Sequence, residues 1–131
     1  MANRVVHFEV ETKDIDRAQK FYSEAFGWKM LPQGEAYGNY VVAQSDDPMA
    51  PMGINGGLFK VDEKKINAFR CIIGVDDINK AIVDVKKAGG KVIGEKPDDI
   101  PNVGSFIRCE DTEGNVFALL QPAPGDWMPK K

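Results

Sequence analysis

A pattern that occurs twice along the chain, 63 residues apart, constrains the fold most strongly. Each copy begins with a β-branched and aromatic segment (residues 5–10 and residues 66–75) that is typical of a strand. An aspartate follows at a helix N-cap position, then apolar residues at helical spacing, then a glycine that can end the helix. Five residue pairs are identical at this offset: Asp14 and Asp77, Ile15 and Ile78, Ala18 and Ala81, Ala25 and Ala88, Gly27 and Gly90. The sequence therefore predicts one structural unit that is present twice.

Three short strands are predicted after each helix. They are residues 28–31, 37–44 and 53–60 in the first copy, and residues 91–94, 103–109 and 115–121 in the second. Gly56 and Gly57 indicate a close approach of the backbone, residues 98–102 are typical of a turn-rich loop, and residues 111–114 of a hairpin turn. The predicted domain is single. Repeat one covers about residues 4–62, a charged connector residues 61–65, repeat two about residues 66–122, and a proline-rich tail with Trp127 residues 123–131.

The composition argues against several classes of function. A chain of 131 residues suits one compact domain, and its net charge of −3 argues against a nucleic-acid partner, which requires a basic face. There is no apolar run of the roughly 20 residues that a membrane span needs, and the N-terminus lacks the apolar core of a signal peptide. We therefore expect a cytoplasmic protein, in which Cys71 and Cys109 are both reduced and buried.

Three short motifs resemble the glyoxalase / bleomycin-resistance / extradiol-dioxygenase superfamily, also called vicinal oxygen chelate. They are Phe21-Tyr22 in the first helix, Phe26-Gly27-Trp28 after it, and the sequence DTEGN at residues 111–115. The resemblance covers about residues 4–122. It implies an α+β fold of two βαβββ repeats that form a curled, open, barrel-like mixed sheet with a central trough. In such proteins the trough holds a small ligand, and homodimers are common, so we expect a homodimer.

The resemblance also implies where a divalent metal would be bound. Its ligands come from the first and fourth strands of each repeat, which places them at His7, Gly57, Arg70 and Ala118. Arginine has no lone pair to give, and glycine and alanine have no side-chain donor atom. Because a mononuclear catalytic site needs about three protein ligands, we expect that the metal site is lost and that no cofactor is bound.

His7 and Glu9 are the first candidate site residues. His7 is the only histidine, and as a neutral imidazole it is a candidate for contact with a small molecule, for acid–base chemistry, for residual metal binding or for a structural hydrogen bond. Glu9 lies two residues further on, hence on the same strand face. It can orient His7 or form an ion pair with Arg70, since a buried charge needs a partner.

Arg70 is the second candidate, because a guanidinium can bind a carboxylate or phosphate of a ligand. Arg108 is of the same kind, with the solvent side as its alternative. The aromatic residues expected to line the trough or to belong to the core are Trp28, Tyr40, Phe59 and Phe106, of which Tyr40 and Phe106 are the predicted ligand contacts. Cys71 is predicted to face the helix, away from Arg70.

Three functions are compatible with these residues. The preferred hypothesis is a protein that binds a small organic ligand, which is possibly anionic, without a metal. The second is a metal-dependent glyoxalase-like lyase or isomerase that uses His7 and Glu9, and the third is a non-catalytic module that binds a partner. The fold alone does not select among them.

Overall fold

A computed structural model describes residues 3–45, 53–61 and 69–124, and the chain divides into two compact units. The N-terminal unit comprises His7–Phe69, and the C-terminal unit comprises the chain from Arg70 onward together with the residues up to Val6. Of the predicted connector, only Val61 belongs to the described residues. The beginning of the predicted strand at 66–75 and the tail from residue 125, with Trp127, also lie outside them.

The N-terminal unit contains one helix and a mixed sheet. Its elements are β1 (Arg4–Thr12, whose first three residues belong to the other unit), α1 (Ile15–Phe26), β2 (Lys29–Pro32), a 3₁₀ helix (Glu35–Tyr37), β3 (Val41–Gln44) and β4 (Gly56–Lys60). The strand order is β2-β3-β4-β1, in which β1 and β4 are parallel and the other pairs antiparallel.

The C-terminal unit has the same plan. Its elements are β5 (Phe69–Gly74, whose first residue belongs to the other unit), α2 (Ile78–Lys87), β6 (Lys91–Ile100), β7 (Gly104–Glu110) and β8 (Val116–Pro122). The strand order is β5-β8-β7-β6, in which β5 and β8 are parallel and the other pairs antiparallel. Two copies of strand, helix, strand, strand, strand are therefore confirmed.

Both helices begin at the predicted N-caps. The Asp14 carboxylate accepts a hydrogen bond from the Arg17 N–H at 3.0 Å, and the Asp77 carboxylate accepts one from the Lys80 N–H at 3.1 Å. Their ends differ. α1 ends at Gly27, whose φ of 72° is left-handed as predicted, whereas in α2 the left-handed glycine is Gly89, with φ of 98°. The predicted end of α2 at Gly89-Gly90 is confirmed, and its left-handed residue lies one position before Gly90, the residue that the 63-residue offset pairs with Gly27.

The cores explain which residues face the helices. In the N-terminal unit the buried cluster beside α1 consists of Val10, Val41, Ala43 and Leu58. In the C-terminal unit the cluster beside α2 consists of Val75, Ile78, Ile107, Cys109 and Leu119, and a second cluster consists of Ile72, Ala118 and Leu120. Each large apolar side chain among them contributes about 1.5–3 kcal/mol of burial free energy, which holds the strands in register.

Four local predictions need correction. Tyr37 belongs to the 3₁₀ helix, and the strand begins only at Val41. β6 continues to Ile100, where a loop was predicted at 98–102, because β7 supplies hydrogen-bonding partners for that segment. Pro32 lies inside β2, at the edge of the sheet, where its missing N–H is tolerated. Cys71 is exposed rather than buried, while Cys109 is buried, and both thiols are free.

None of the helices in the described part of the chain is long and apolar enough to cross a membrane.

Candidate functional site

The alternation of β1 divides its side chains between the two faces of the sheet. Phe8 and Val10 pack in the core beside α1, whereas His7, Glu9 and Glu11 point to the opposite face. His7 is only 9% exposed and Glu9 only 6% exposed. Burial of polar groups costs free energy unless they are hydrogen-bonded or paired. A row of buried polar side chains away from the helix therefore marks this face as the candidate site.

His7 and Tyr40 are brought together on this face. His7 Nε2 and Tyr40 Oη are hydrogen-bonded at 3.0 Å, and the tautomer of the imidazole decides which of them donates. Tyr40 lies immediately before β3, and its ring passes over Gly57 in β4. A Cβ atom at position 57 would overlap the phenol. Only glycine therefore fits at position 57 while Tyr40 is bonded to His7.

The neighbouring glycine, Gly56, leaves room for an aromatic ring on the other face of β4. A Cβ atom at position 56 would overlap the ring of Phe8, which belongs to the core side. The two glycines thus admit two aromatic rings, one on each face of the same strand. The close approach predicted at Gly56 and Gly57 is therefore made by aromatic side chains and not by another backbone segment.

The imidazole of His7 is uncharged near neutral pH. Burial disfavours the charged imidazolium and lowers the pKa of His7 from 6.5 to about 4. At pH 7 the side chain therefore offers one hydrogen-bond donor and one acceptor without a charge. Such a group can bind a hydroxyl or a carbonyl, but it attracts an anion weakly.

The strand register places Glu9 directly opposite Gly57. In the C-terminal unit Ile72, which lies 63 residues after Glu9, is opposite Ala118. The backbone of the two units is thus equivalent at these positions, although their side chains differ. Ile72 and Ala118 belong to an apolar cluster, while Glu9 lies in the polar row of β1.

The residues at the four predicted metal positions do not fit a metal ion. His7 Nε2 is hydrogen-bonded to Tyr40, and the Tyr40 phenol occupies the space in which a ligating side chain at position 57 would stand. Ala118 carries only a methyl group, and the half-buried Arg70 has no lone pair. Within residues 3–45, 53–61 and 69–124, no three His, Cys, Asp or Glu side chains are grouped closely enough to hold a metal.

Phe106 and Arg108 form a second group, in the C-terminal unit. Both point to the same face of β7, and the Arg108 Cζ lies 5.4 Å from the centroid of the Phe106 ring. This distance is within the range of a cation–π interaction. Arg108 is half-buried rather than fully on the solvent side.

The remaining predictions have different outcomes. Trp28 belongs to the core, where its ring packs against Phe8 and Tyr22, and the half-buried Phe59 has no assigned role. The pairing of Glu9 with Arg70 joins the two units and stays a prediction. His7 and Tyr40 are predicted separately from the sequence, and the hydrogen bond between them is not predicted. Gly57 could have indicated this contact, because a glycine inside a strand often marks a place where another group lies close over the backbone.

Comparisons with known proteins point to one family. A family model described as bleomycin resistance protein-like N-terminal matches residues 4–43. A glyoxylase-like domain-containing protein of Didymella fabae is 36% identical over 114 residues, which cover 85% of this chain and 88% of that protein. A probable lactoylglutathione lyase of Vibrio cholerae is 28% identical over 128 residues, which cover 91% of each. A putative glyoxylase of Mycobacterium tuberculosis is 33% identical over 118 residues, but this chain spans only 43% of its length.

Solved structures share the fold. Methylmalonyl-CoA epimerase from Mycobacterium tuberculosis matches with a TM-score of 0.70 and 16% identity, over 95% of this chain and 93% of that one. A hypothetical protein from Bacillus halodurans matches with a TM-score of 0.71 and 15% identity, over 96% and 99% of the two chains. At this level of identity the likeness concerns the fold alone, and it confirms the predicted fold class.

Proposed function

This chain belongs to the glyoxalase / bleomycin-resistance / extradiol-dioxygenase superfamily, and from that premise we propose that it binds a small organic ligand without a metal ion. The observation that carries the proposal is the hydrogen bond between His7 and Tyr40, with the phenol over Gly57. It replaces two of the expected metal positions with an uncharged pair of hydrogen-bonding groups. Such a pair can orient a ligand through hydrogen bonds, but it does not offer a set of free donor atoms to a metal ion.

The residues of the proposed site have complementary properties. His7 and Tyr40 provide donors and acceptors for a hydroxyl or carbonyl group, and Glu9 provides a carboxylate on the same strand face. Arg70 and Phe106 remain the predicted contacts for an anionic and an apolar part of the ligand. A homodimer, a cytoplasmic location and the absence of a cofactor belong to the same proposal.

The second candidate is a lyase or isomerase that uses His7 and Glu9 as acid and base. One relative is named a probable lactoylglutathione lyase, which supports this class, and a methylmalonyl-CoA epimerase shares the fold. The pKa of His7 speaks against it, because a value of about 4 lies far below the pH at which a general base works best. Binding is therefore preferred to catalysis, and both are preferred to a module that only binds a partner.

The single histidine makes a direct test possible. A protein with ¹³C-labelled histidine has one imidazole signal in its NMR spectrum, and that signal reports only His7. We expect no shift with one equivalent of Zn²⁺, Ni²⁺ or Mn²⁺, and less than about a tenth of an equivalent of metal by elemental analysis. S-lactoylglutathione and methylmalonyl-CoA, the compounds in the relatives' names, serve as organic probes, and at least one is expected to move the signal.

The Tyr40→Phe variant is the matched control. It keeps the ring over Gly57 but removes the hydroxyl that is bonded to His7, so the shift caused by the organic probe should shrink while the fold is retained. A metal that binds at one equivalent and moves the His7 signal would contradict the proposal and favour the metal-dependent enzyme. Conversion of either thioester by the wild-type protein that is lost in His7→Gln would favour the second candidate.

A further inference from the structure

A groove in the C-terminal unit lies where β6 departs from β7. Ile93 is opposite Arg108 and Asp98 is opposite Phe106, so residues 94–97 of β6 face a stretch of β7 that contains only Ile107. The departure begins at Gly94, whose φ of 106° is accessible to glycine but unfavourable for other residues. The bulge leaves a groove of about 310 Å³ that Phe106 and Arg108 line on the β7 side.

Arg108 contributes its guanidinium to the lining of this groove, and the side chain as a whole is half-buried. Its Nε atom is buried and has no hydrogen-bond partner among the described residues. Because Nε has almost no accessible surface, a ligand in the groove would bond the terminal nitrogens of the guanidinium. The guanidinium also lies over the Phe106 ring, which limits its rotation and orients its donors.

We infer that this groove binds a small organic monocarboxylate. The planar guanidinium of Arg108 matches a carboxylate with two parallel hydrogen bonds, and the Phe106 ring offers a surface for the apolar part of the ligand. A volume of about 310 Å³ is at the lower end of the range for small-molecule sites, which restricts the ligand to a few carbon atoms or one ring.

The rim of the groove restricts the charge of the ligand. Glu95, Lys96 and Asp98 line the β6 side and are exposed, so their net charge is negative. A phosphate dianion would approach two carboxylates, whereas a monocarboxylate can approach the Arg108 guanidinium with less repulsion. The groove therefore favours a carboxylate over phosphate.

The strand register of Arg108 also supports this proposal. Arg108 is directly opposite Ala118, one of the positions at which the resemblance implies a metal ligand. Directly opposite residues on one face have Cβ atoms about 5 Å apart, so the short methyl leaves room for the guanidinium. Arginine thus supplies a permanent positive charge beside the position of a missing ligand. Phe106 is also a predicted contact of the proposed ligand site, whereas Arg108 belongs to the groove alone, so substitution of Arg108 tests the groove separately.

Benzoate titration by isothermal calorimetry at low salt tests the inference, with benzamide as the uncharged analogue of the same shape. We expect benzoate to bind with a Kd on the order of 1 mM, as the small size of the probe allows, and benzamide to bind at least about tenfold more weakly. Arg108→Met should weaken benzoate binding by about 10- to 100-fold. The matched control is Arg17→Met, which removes the same charge from an exposed position on α1 and should leave the Kd unchanged.

A second variant keeps the test decisive if Arg108→Met does not fold. Arg108→Lys retains the charge but not the planar fork, and it should weaken benzoate binding by about three- to tenfold. The inference is wrong if wild-type protein does not bind benzoate at about ten times the expected Kd. It is equally wrong if the folded Arg108 variants bind like wild type, if benzamide binds as well as benzoate, or if inorganic phosphate binds more tightly. The NMR signal of His7 reports on His7 itself, and Arg108 is not a residue of the proposed ligand site, so failure of one proposal can be distinguished from failure of the other.

Discussion

Acidification from pH 7 to pH 5 should destabilise this protein through His7. The pKa of His7 is 6.5 in its ordinary state and about 4 in the folded protein, because burial disfavours the imidazolium. Between these two values the unfolded chain binds a proton that the folded chain does not bind. The free energy of unfolding therefore decreases as the pH falls through this window, and the contribution of His7 is complete only above pH 6.5.

The size of the effect follows from the two pKa values. Each unit of difference between them corresponds to about 1.4 kcal/mol. The contribution of His7 to the free energy of unfolding should therefore decrease by about 2 kcal/mol between pH 7 and pH 5, and by about 3 kcal/mol at pH 4. For a chain of this size, whose total stability is on the order of 5–15 kcal/mol, this is a large change.

Urea unfolding at pH 7, 6 and 5, at one protein concentration, measures this change. His7→Gln is the matched control, because the chain has no other histidine whose titration could contribute. Carboxylates titrate mainly below pH 5, so the difference between wild type and His7→Gln isolates the imidazole. The NMR titration of His7 should have its midpoint near pH 4. Equal pH dependence of the two proteins between pH 7 and 5 would refute the assignment of His7 as a buried neutral group.

Three further outcomes follow from the structure. Gly57→Ala should lower the free energy of unfolding by about 1–3 kcal/mol, because its Cβ would displace the Tyr40 ring, and the loss should be smaller in a Tyr40→Ala background. Asp77→Ala should lower it by about 1 kcal/mol through loss of the N-cap, whereas Asp77→Asn should not, as urea unfolding can measure. A thiol reagent should modify the exposed Cys71 in the native protein and Cys109 only after unfolding, because Cys109 is buried and burial raises its pKa; modification of both at once would contradict this.

The features that the sequence predicted correctly depend on local chemistry. Asp14 and Asp77 cap their helices because a carboxylate three residues before a free N–H finds it within the first turn. The hairpin turn at residues 111–115 forms because the Asp111 carboxylate accepts hydrogen bonds from the Glu113 and Asn115 N–H groups, both at 2.8 Å. Each of these hydrogen bonds joins residues that are only a few positions apart. The short sequence segment around them is therefore enough to predict them.

The features that the sequence did not predict depend on partners far along the chain. β6 extends to Ile100 because β7 pairs with it, which overrides the turn preference of its proline and aspartates. The bond between His7 and Tyr40 joins residues 33 positions apart. The groove beside Arg108 depends on the bulge of β6 opposite it. Neither periodicity nor composition records such pairings, and the candidate site was accordingly predicted as separate residues rather than as contacts.

The strand register explains how the side chains at the positions where the resemblance implies metal ligands can differ between the two units while the fold is the same. Glu9 opposite Gly57 and Ile72 opposite Ala118 are equivalent in register, and that register is held by core residues such as Val10, Leu58 and Leu119 rather than by the positions themselves. A side chain at such a position can therefore shorten at little cost to the sheet. The surroundings of these positions differ between the units, because the phenol of Tyr40 lies over Gly57 and Ala118 is opposite Arg108. A neutral phenol and a guanidinium differ in charge, so we expect the two units to favour different ligands, although their strand register is the same.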